Sequence, residues 1–301
     1  MPERPGRGPG ELIGLLVVDK EPGWTSHDVV AKCRGLLGER RMGHAGTLDP
    51  DATGVLLVGV GRFTRMLRYL GDAPKSYEAE VVLGTSTSTL DASGEVTGTW
   101  DMSGVSLTQV REAAASLTGE ILQVPPMVSA LKVGGRRLHE LARAGIEVER
   151  RARKVTIERL DIEQTGTPGV YEMRVDCSTG TYVRSLAADL GTALGGGAHL
   201  RNLRRTRVGS FGLAEAQVVG STGLDQLLVP AQALRDLAQV ELDDEMSRLV
   251  LNGLPLDKVA VGAVGVGPWA LLDSSGRLLA VYERTGTDRI VAGCVLGARD
   301  H

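Results

Sequence analysis

An α/β (α+β) fold is predicted for this chain by three observations. Buried-strand and amphipathic-helix patterns alternate from residue 12 to about residue 194. Gly and Pro breaks separate them at spacings that suit single elements. Beyond residue 238 the pattern changes to short strands, so a small β-rich unit should follow. A length of 301 residues suits about two domains. The expected divisions are a leader at 1–10, a main body at 11–237 and the second unit at 238–301.

LIGLLVVDK (12–20) has the continuous apolar run of a short buried strand, and EPG turns the chain. TSHDVVAKCRGLLG then reads as a helix with Thr25 or Ser26 as N-cap and Gly38 as its stop. YEAEVVLG (77–84) is a strand, TSTSTLDASGEV a polar loop, and LTQVREAAASLTG (107–119) an amphipathic helix. In residues 121–160 a Pro-Pro and a Gly-Gly break bracket a short basic helix, as a mobile arm would. YEMRVDC (171–177) alternates apolar and polar residues and is a half-buried strand; STG turns into the helix TYVRSLAADLGTAL, which GGGAH ends. In the second unit DDEMSRLVLNG is a capped helix. VAVGAV, PWALLD, RLLAVYER and IVAGCVL are expected strands, with SSG as a hairpin turn.

Composition narrows the class. With 42% hydrophobic and 24% charged residues the chain is of ordinary globular type. MPERPGRGPGE has no apolar core of a secretory signal, and no apolar run approaches the ~20 residues of a membrane span. Cys33, Cys177 and Cys294 lie far apart without a C-x-x-C pair, which fits reduced thiols in a cytoplasm and argues against structural zinc. The net charge is −3, yet the cations cluster. From Lys132 to Lys154, Lys132, Arg136, Arg137, Arg143, Arg150, Arg151, Arg153 and Lys154 face Glu140, Glu147 and Glu149. RNLRRTRVGS adds Arg201, Arg204, Arg205 and Arg207 with no acid among them. Two such clusters point to a polyanionic partner.

The most unusual stretch is 41-RMGHAGTLDPDATGVLLVGVG-61, where Arg41, His44, Asp49, Asp51 and Thr53 sit among glycines. DPDATG imitates the start of a calcium loop, but Val60 stands where the bidentate glutamate belongs and Pro50 spoils the geometry. A dinucleotide fingerprint fails because no third glycine follows Gly59 and Gly61. A tight Asp-Pro turn and a catalytic loop remain.

GHAGTLDPDATGVLLVGVGRFTRML closely resembles the catalytic motif of the TruB family, the bacterial tRNA pseudouridine-55 synthases. The resemblance continues in order through LVVDKEPGWTSHDVV upstream, KSYEAEVVLGTSTSTLDASGEV, VPPMVSALKVGGRRLHELARAGIEVERRAR and CSTGTYVRSLAADLG…GAHLRNLRRTRVG, covering roughly residues 11–215. The C-terminal part weakly resembles the PUA-type RNA-binding domain, in an actinobacterial form, and is short and less basic than such a domain is expected to be.

This resemblance implies a pseudouridine-synthase fold with a mixed, mainly antiparallel sheet flanked by helices, plus a PUA-like C-terminal domain. It implies isomerisation of uridine 55 in the T-loop of tRNA, with no cofactor and no metal. Asp49 matches the essential carboxylate, acting on C1′, on C6 or as a base. Tyr77 and Tyr182 match residues lining a flipped-out base, and His44 one that contacts RNA beside it. Leu203 matches the apolar residue closing the pocket, and Arg184 the arginine paired with the aspartate. Segment 125–153 corresponds to a thumb whose cations meet phosphates. The expected partner is the tRNA T-arm stem-loop, with no membrane, no obligate protein partner and a monomeric state. The rival functions are a non-catalytic tRNA-folding chaperone and a glycosidase releasing free base.

Overall fold

The computed structural model describes residues 12–296 apart from 130, 134, 145 and 147. The leader at 1–10 and Glu147 lie outside the described residues, as do the side chains of Lys132, Arg137 and Arg143 in the basic arm.

β1 (Gly14–Lys20) leads into α1 (Ser26–Leu37). Thr25 is the N-cap: its hydroxyl accepts from the Asp28 backbone N–H, and the Asp28 carboxylate accepts from Thr25 N–H in return. Gly38 ends the helix in the left-handed conformation. β2 (Met42–Ala45) and β3 (Thr53–Val60) flank the Asp49 loop, and α2 (Leu67–Gly71) precedes β4 (Lys75–Leu83). The polar stretch expected as a loop instead forms a hairpin, β5 (Thr85–Thr87) and β6 (Val96–Thr99). Its threonines favour strand pairing while Leu90–Gly94 supply the turn.

α3 (Leu107–Ser116) is capped by Ser106 and followed by β7 (Gly119–Gln123). The arm carries a small hairpin, β8 (Lys132–Val133) with β9 (Arg136–Arg137), and the short α4 (Leu138–Arg143). β10 (Arg153–Gln164), β11 (Val170–Cys177), α5 (Val183–Ala193) and β12 (Ala198–Val208) complete the central body. Two short pieces, β13 (Phe211–Gly212) and β14 (Gln217–Val218), and α6 (Pro230–Ala233) lead onward. The C-terminal part holds β15 (Ala238–Glu241), α7 (Asp244–Leu251), β16 (Leu256–Asp257), β17 (Trp269–Leu272), β18 (Leu278–Thr285) and β19 (Arg289–Val295). VAVGAV, expected as a strand, consists of turns between β16 and β17; its valines at 259 and 264 are exposed and its glycine at 262 has a positive φ.

The main sheet has ten strands, ordered β14-β1-β3-β12-β4-β11-β10-β7 with β2 on β3 and β13 on β12. It is mixed and mainly antiparallel; only β1–β14 and β3–β12 pair in parallel within it. The second sheet is ordered β15-β17-β18-β19-β16. One face of the main sheet packs on α1, α3 and α5 through Val29, Val110, Leu186 and Leu190. On the other side Val55, Leu57, Phe63 and Phe211 share a single apolar cluster with Ala270, Val281 and Cys294 of the second sheet. The β-rich C-terminal domain is therefore fused to the main body through core.

The cluster RNLRRTRV, read from sequence as cations for a polyanion, lies in β12 at the middle of the sheet. Arg201 pairs with Glu80, Arg204 with Asp19 (2.7 Å) and Arg207 with Asp176 (3.4 Å), while Arg205 is buried. Acids on β4, β1 and β11 pair with Arg201, Arg204 and Arg207, so this stripe is largely structural.

Candidate active site

The Asp49 loop is held from below by two buried cations. Lys20, at the end of β1, donates to the carbonyls of Glu21 (3.0 Å) and Pro50 (2.8 Å). Arg205 donates to the carbonyls of Val55 (2.7 Å), Gly46 (3.1 Å) and Thr47 (3.4 Å). From α1, Ser26 donates to the Leu48 carbonyl and accepts from its N–H. Each anchor meets a backbone polar group that would be expensive to leave unpaired. Gly54 allows the loop to rejoin β3 directly against β12: its φ is +102°, and a Cβ there would lie 2.1 Å from the Arg205 carbonyl oxygen.

Above the loop Asp49 faces Arg184, the second residue of α5. The side chain is buried, and both terminal nitrogens meet oxygens. Nη2 lies 3.0 Å from Asp49 Oδ2 and donates to the Val128 carbonyl at 2.7 Å; Nη1 lies 3.3 Å from Asp91 Oδ2 and donates to the Thr89 carbonyl at 2.9 Å. Asp91 Oδ1 in turn accepts from Thr89 Oγ1 (2.6 Å), Ser93 Oγ (2.5 Å) and Ser93 N (3.0 Å). Asp91 is thus engaged on both oxygens, whereas the Asp49 side chain keeps 44% of its surface open. One carboxylate is used up holding the arginine. The other is presented.

Burial pushes the Asp49 carboxyl above its usual value; Arg184 and Lys20 pull it down, and Asp91 and Asp51 push it further up. Burial lowers Lys20 to about 8, against the opposing pull of Asp51 and Asp49. His44 is lowered to about 4 by burial, with His27 and Arg205 adding to the effect, and its Nδ1 is buried without a hydrogen-bond partner. The His27 ring meets His44 edge-on, with centroids 5.2 Å apart.

A cavity of about 320 Å³ opens over Asp49. Asp49, Thr89, Asp91, Arg184, Asn202 and Leu203 are among its walls. Leu203 reaches it because β12 breaks register against β4 between Arg201 and Arg204, with Asn202 at φ +54°. This bulge takes Asn202 and Leu203 out of the regular pleat at the cavity that Asp49 also lines. Of the residues expected from sequence, the cavity brings together Asp49, Arg184 and Leu203. His44 on β2, Tyr77 on β4 and Tyr182 lie outside its lining. Tyr77 is buried beneath the loop beside Arg205, and half-buried Tyr182 caps α5 with its N–H donating to the Gln123 side chain (2.7 Å). Asp91, Lys20 and the anchoring role of Arg205 escaped the sequence reading. Among the described residues, no group of three or more His, Cys, Asp or Glu side chains is arranged to hold a metal.

Residues 34–183 match the family model described as TruB family pseudouridylate synthase, N-terminal domain. Residues 184–251 match that of the tRNA pseudouridylate synthase B C-terminal domain. A protein of Rhodococcus jostii (strain RHA1) called tRNA pseudouridine synthase B is 44% identical over 293 residues, covering 94% of each chain. The chain belongs to the TruB family. A second TruB relative, also called tRNA pseudouridine synthase B, comes from Streptomyces griseus subsp. griseus. It is 43% identical over 280 residues, covering 90% of this chain and 93% of its own. Among solved structures, the chain is similar to one in the crystal structure of a Cbf5-Nop10-Gar1 complex. That match has a TM-score of 0.74 and 26% identity over 95% of this chain and 86% of that one. The two TruB family models meet inside α5, between Val183 and Arg184, so their junction is not a break in the fold.

Proposed function

We propose that the chain isomerises uridine 55 in the T-loop of tRNA to pseudouridine, with Asp49 as the essential carboxylate and no cofactor. The observation that carries this reading is the division of labour at Arg184. Its guanidinium spans Asp49 and Asp91, leaving Asp49 as the accessible carboxylate at the cavity floor.

The reaction breaks the bond between C1′ and N1, turns the base and joins C1′ to C5. N1 ends with a proton, and the C5 hydrogen leaves to solvent. No electron is gained or lost. The site must supply one carboxylate, retain the detached base and limit water. A cavity of about 320 Å³ is at the small end of the ~300–1,000 Å³ of ligand pockets and suits one everted nucleotide. Everting a stacked base takes a few kcal/mol. Leu203 on its bulge closes against the base; Tyr77, Tyr182 and His44 lie outside the cavity lining and enter this reading through the family resemblance, as residues beside the everted nucleotide.

The partner is the T-arm stem-loop, read through its shape and unstacked bases. Within the arm, Arg136, Arg151 and Arg153 are exposed and meet phosphates. Arg150 is half-buried and donates to the Pro125 carbonyl (3.0 Å), anchoring the root of the arm. The protein works as a cytoplasmic monomer, with residues 11–237 as catalytic domain and 238–301 as a PUA-like domain. Incubation with tRNA tritiated at uridine C5 tests the reading. Tritium release without free base is the expected result. Released uracil would make the protein a glycosidase, and neither product would make it a tRNA-folding chaperone.

A further inference from the structure

The loop that carries Thr89 and Asp91 is the turn of the β5–β6 hairpin, which stands apart from the ten-stranded sheet. A two-stranded hairpin is marginal by itself, yet this one must hold Asp91 Oδ2 and the Thr89 carbonyl on Arg184. Its turn is stitched to β12: Leu200 N–H donates to the Leu90 carbonyl (3.0 Å), and Ala92 N–H to the Leu200 carbonyl (2.9 Å). Its base is closed by Trp100 N–H donating to the Gly84 carbonyl (2.9 Å), and Gly84 N–H donating to the Gly197 carbonyl (2.8 Å).

Three glycines, Gly195–Gly197, follow α5. Two of them have no room for a side chain. A Cβ on Gly197 would lie 2.3 Å from Trp100 Cζ3, and one on Gly196 would lie 2.5 Å from Met102 Sδ. A Cβ on Gly98, in β6, would lie 2.4 Å from Trp100 Cη2. The indole therefore rests on the backbone of its own hairpin and on the glycine turn at once. It remains 43% exposed, so it is not part of the main core.

We infer that Trp100 is a positioning residue: its ring clamps the β5–β6 hairpin to the Gly196–Gly197 turn and so sets Asp91 and the Thr89 carbonyl against Arg184. The clamp deepens the isomerase reading and rests on it for its effect on turnover. The chain of contact is continuous, from indole to Gly197, through Gly84 and the hairpin to Asp91, and through Arg184 to Asp49. The glycine run serves as a platform for two side chains and not as a linker. An aromatic ring suits this task because it covers a wide, flat area with little rotamer entropy.

The test combines two readouts on Trp100→Ala, Trp100→Phe and Gly98→Ala, the last displacing the ring from its own side. Amide hydrogen exchange over residues 84–95, which needs no substrate, should quicken in Trp100→Ala and Gly98→Ala while peptides of β3 and β11 stay unchanged. Trp100→Phe should restore most of the protection. Tritium release at saturating tRNA should fall about tenfold in Trp100→Ala with KM within a few-fold, since misplacing a catalytic group by ~1 Å can lose 10²-fold. Unchanged exchange at 84–95 in both disruptive variants would overturn the clamp. So would faster exchange with full turnover. A wild-type protein that releases no tritium would sink the isomerase reading, and exchange would still decide whether the ring holds the hairpin.

Discussion

Arg184 Nη2 lies 3.0 Å from Asp49 Oδ2, and Nη1 lies 3.3 Å from a second carboxylate, that of Asp91. The family resemblance anticipates a pairing of arginine with aspartate. The structure adds that the fork is shared between Asp49, Asp91 and two backbone carbonyls. Such a pattern needs a planar, multiply donating cation.

Arg184→Lys should therefore fail in two ways. A single ammonium cannot reach both carboxylates and both carbonyls, so turnover should fall at least about tenfold, or ~1.4 kcal/mol of barrier. The melting temperature should fall as well, because the part-buried carbonyls of Thr89 and Val128 lose their donors. Kinetics at saturating tRNA and a thermal melt check both. Full turnover with lysine would mean that the fork has no role in the reaction.

The pH dependence follows from the direction of the Asp49 shift. Its carboxyl is raised by burial, so the ionised form is lost as pH falls through a value above that of an ordinary aspartate. Activity in kcat/KM should drop on that acid limb. Asp91 pushes Asp49 upward, so Asp91→Asn should move the limb to lower pH while also lowering the maximal rate. For stability the sign is the reverse of an ordinary ion-paired carboxylate. A raised group contributes stability that is present below its unfolded value and lost as pH rises through its folded value. A limb that moves upward in Asp91→Asn would contradict the electrostatics.

The basic arm and the basic strand should separate in a salt titration. Replacing Arg136, Arg151 and Arg153 by alanine should weaken tRNA binding and flatten its log–log salt slope, by at most ~0.7 to 0.9 for each phosphate no longer neutralised. Arg201→Ala or Arg204→Ala should leave the slope nearly unchanged and lower the melting temperature, because these cations are spent on Glu80 and Asp19. Equal slopes for the arm variant and wild type would remove the arm from the phosphate backbone.

Gly54→Ala tests the seating of the catalytic loop. Both the +102° φ and the 2.1 Å approach of the Arg205 carbonyl forbid a Cβ. The loss should be large, on the order of 3 kcal/mol or more, visible in denaturant unfolding. A variant as stable as wild type would show that β3 and β12 can part at this point without penalty.

Much of this was legible in the sequence where local chemistry decides the structure. Thr25 brackets α1 by its capping hydroxyl and Gly38 by its freedom at positive φ, and the alternation in YEMRVDC gives β11. β12 was hidden because four of its residues are arginines, and their neutralising partners Glu80, Asp19 and Asp176 lie on other strands or far along the chain. Asp91 was hidden because TLDAS reads as an ordinary polar turn; the D-x-S spacing that gives its Ser93 bonds is common in loops. Lys20 carried a weak signal, a lone cation ending the apolar run LLVVDK. Whether such a lysine points to solvent or under a loop depends on where Pro50 folds back.

The most direct test of Asp49 as the essential carboxylate is Asp49→Asn assayed on tRNA tritiated at uridine C5, with tRNA affinity measured on the same preparation. The change is nearly isosteric, and Arg184 keeps Asp91 and both of its carbonyls. The expected result is no tritium release above background, tRNA binding within a few-fold of wild type, and an intact thermal transition. Tritium release near the wild-type rate from a folded Asp49→Asn protein would contradict it.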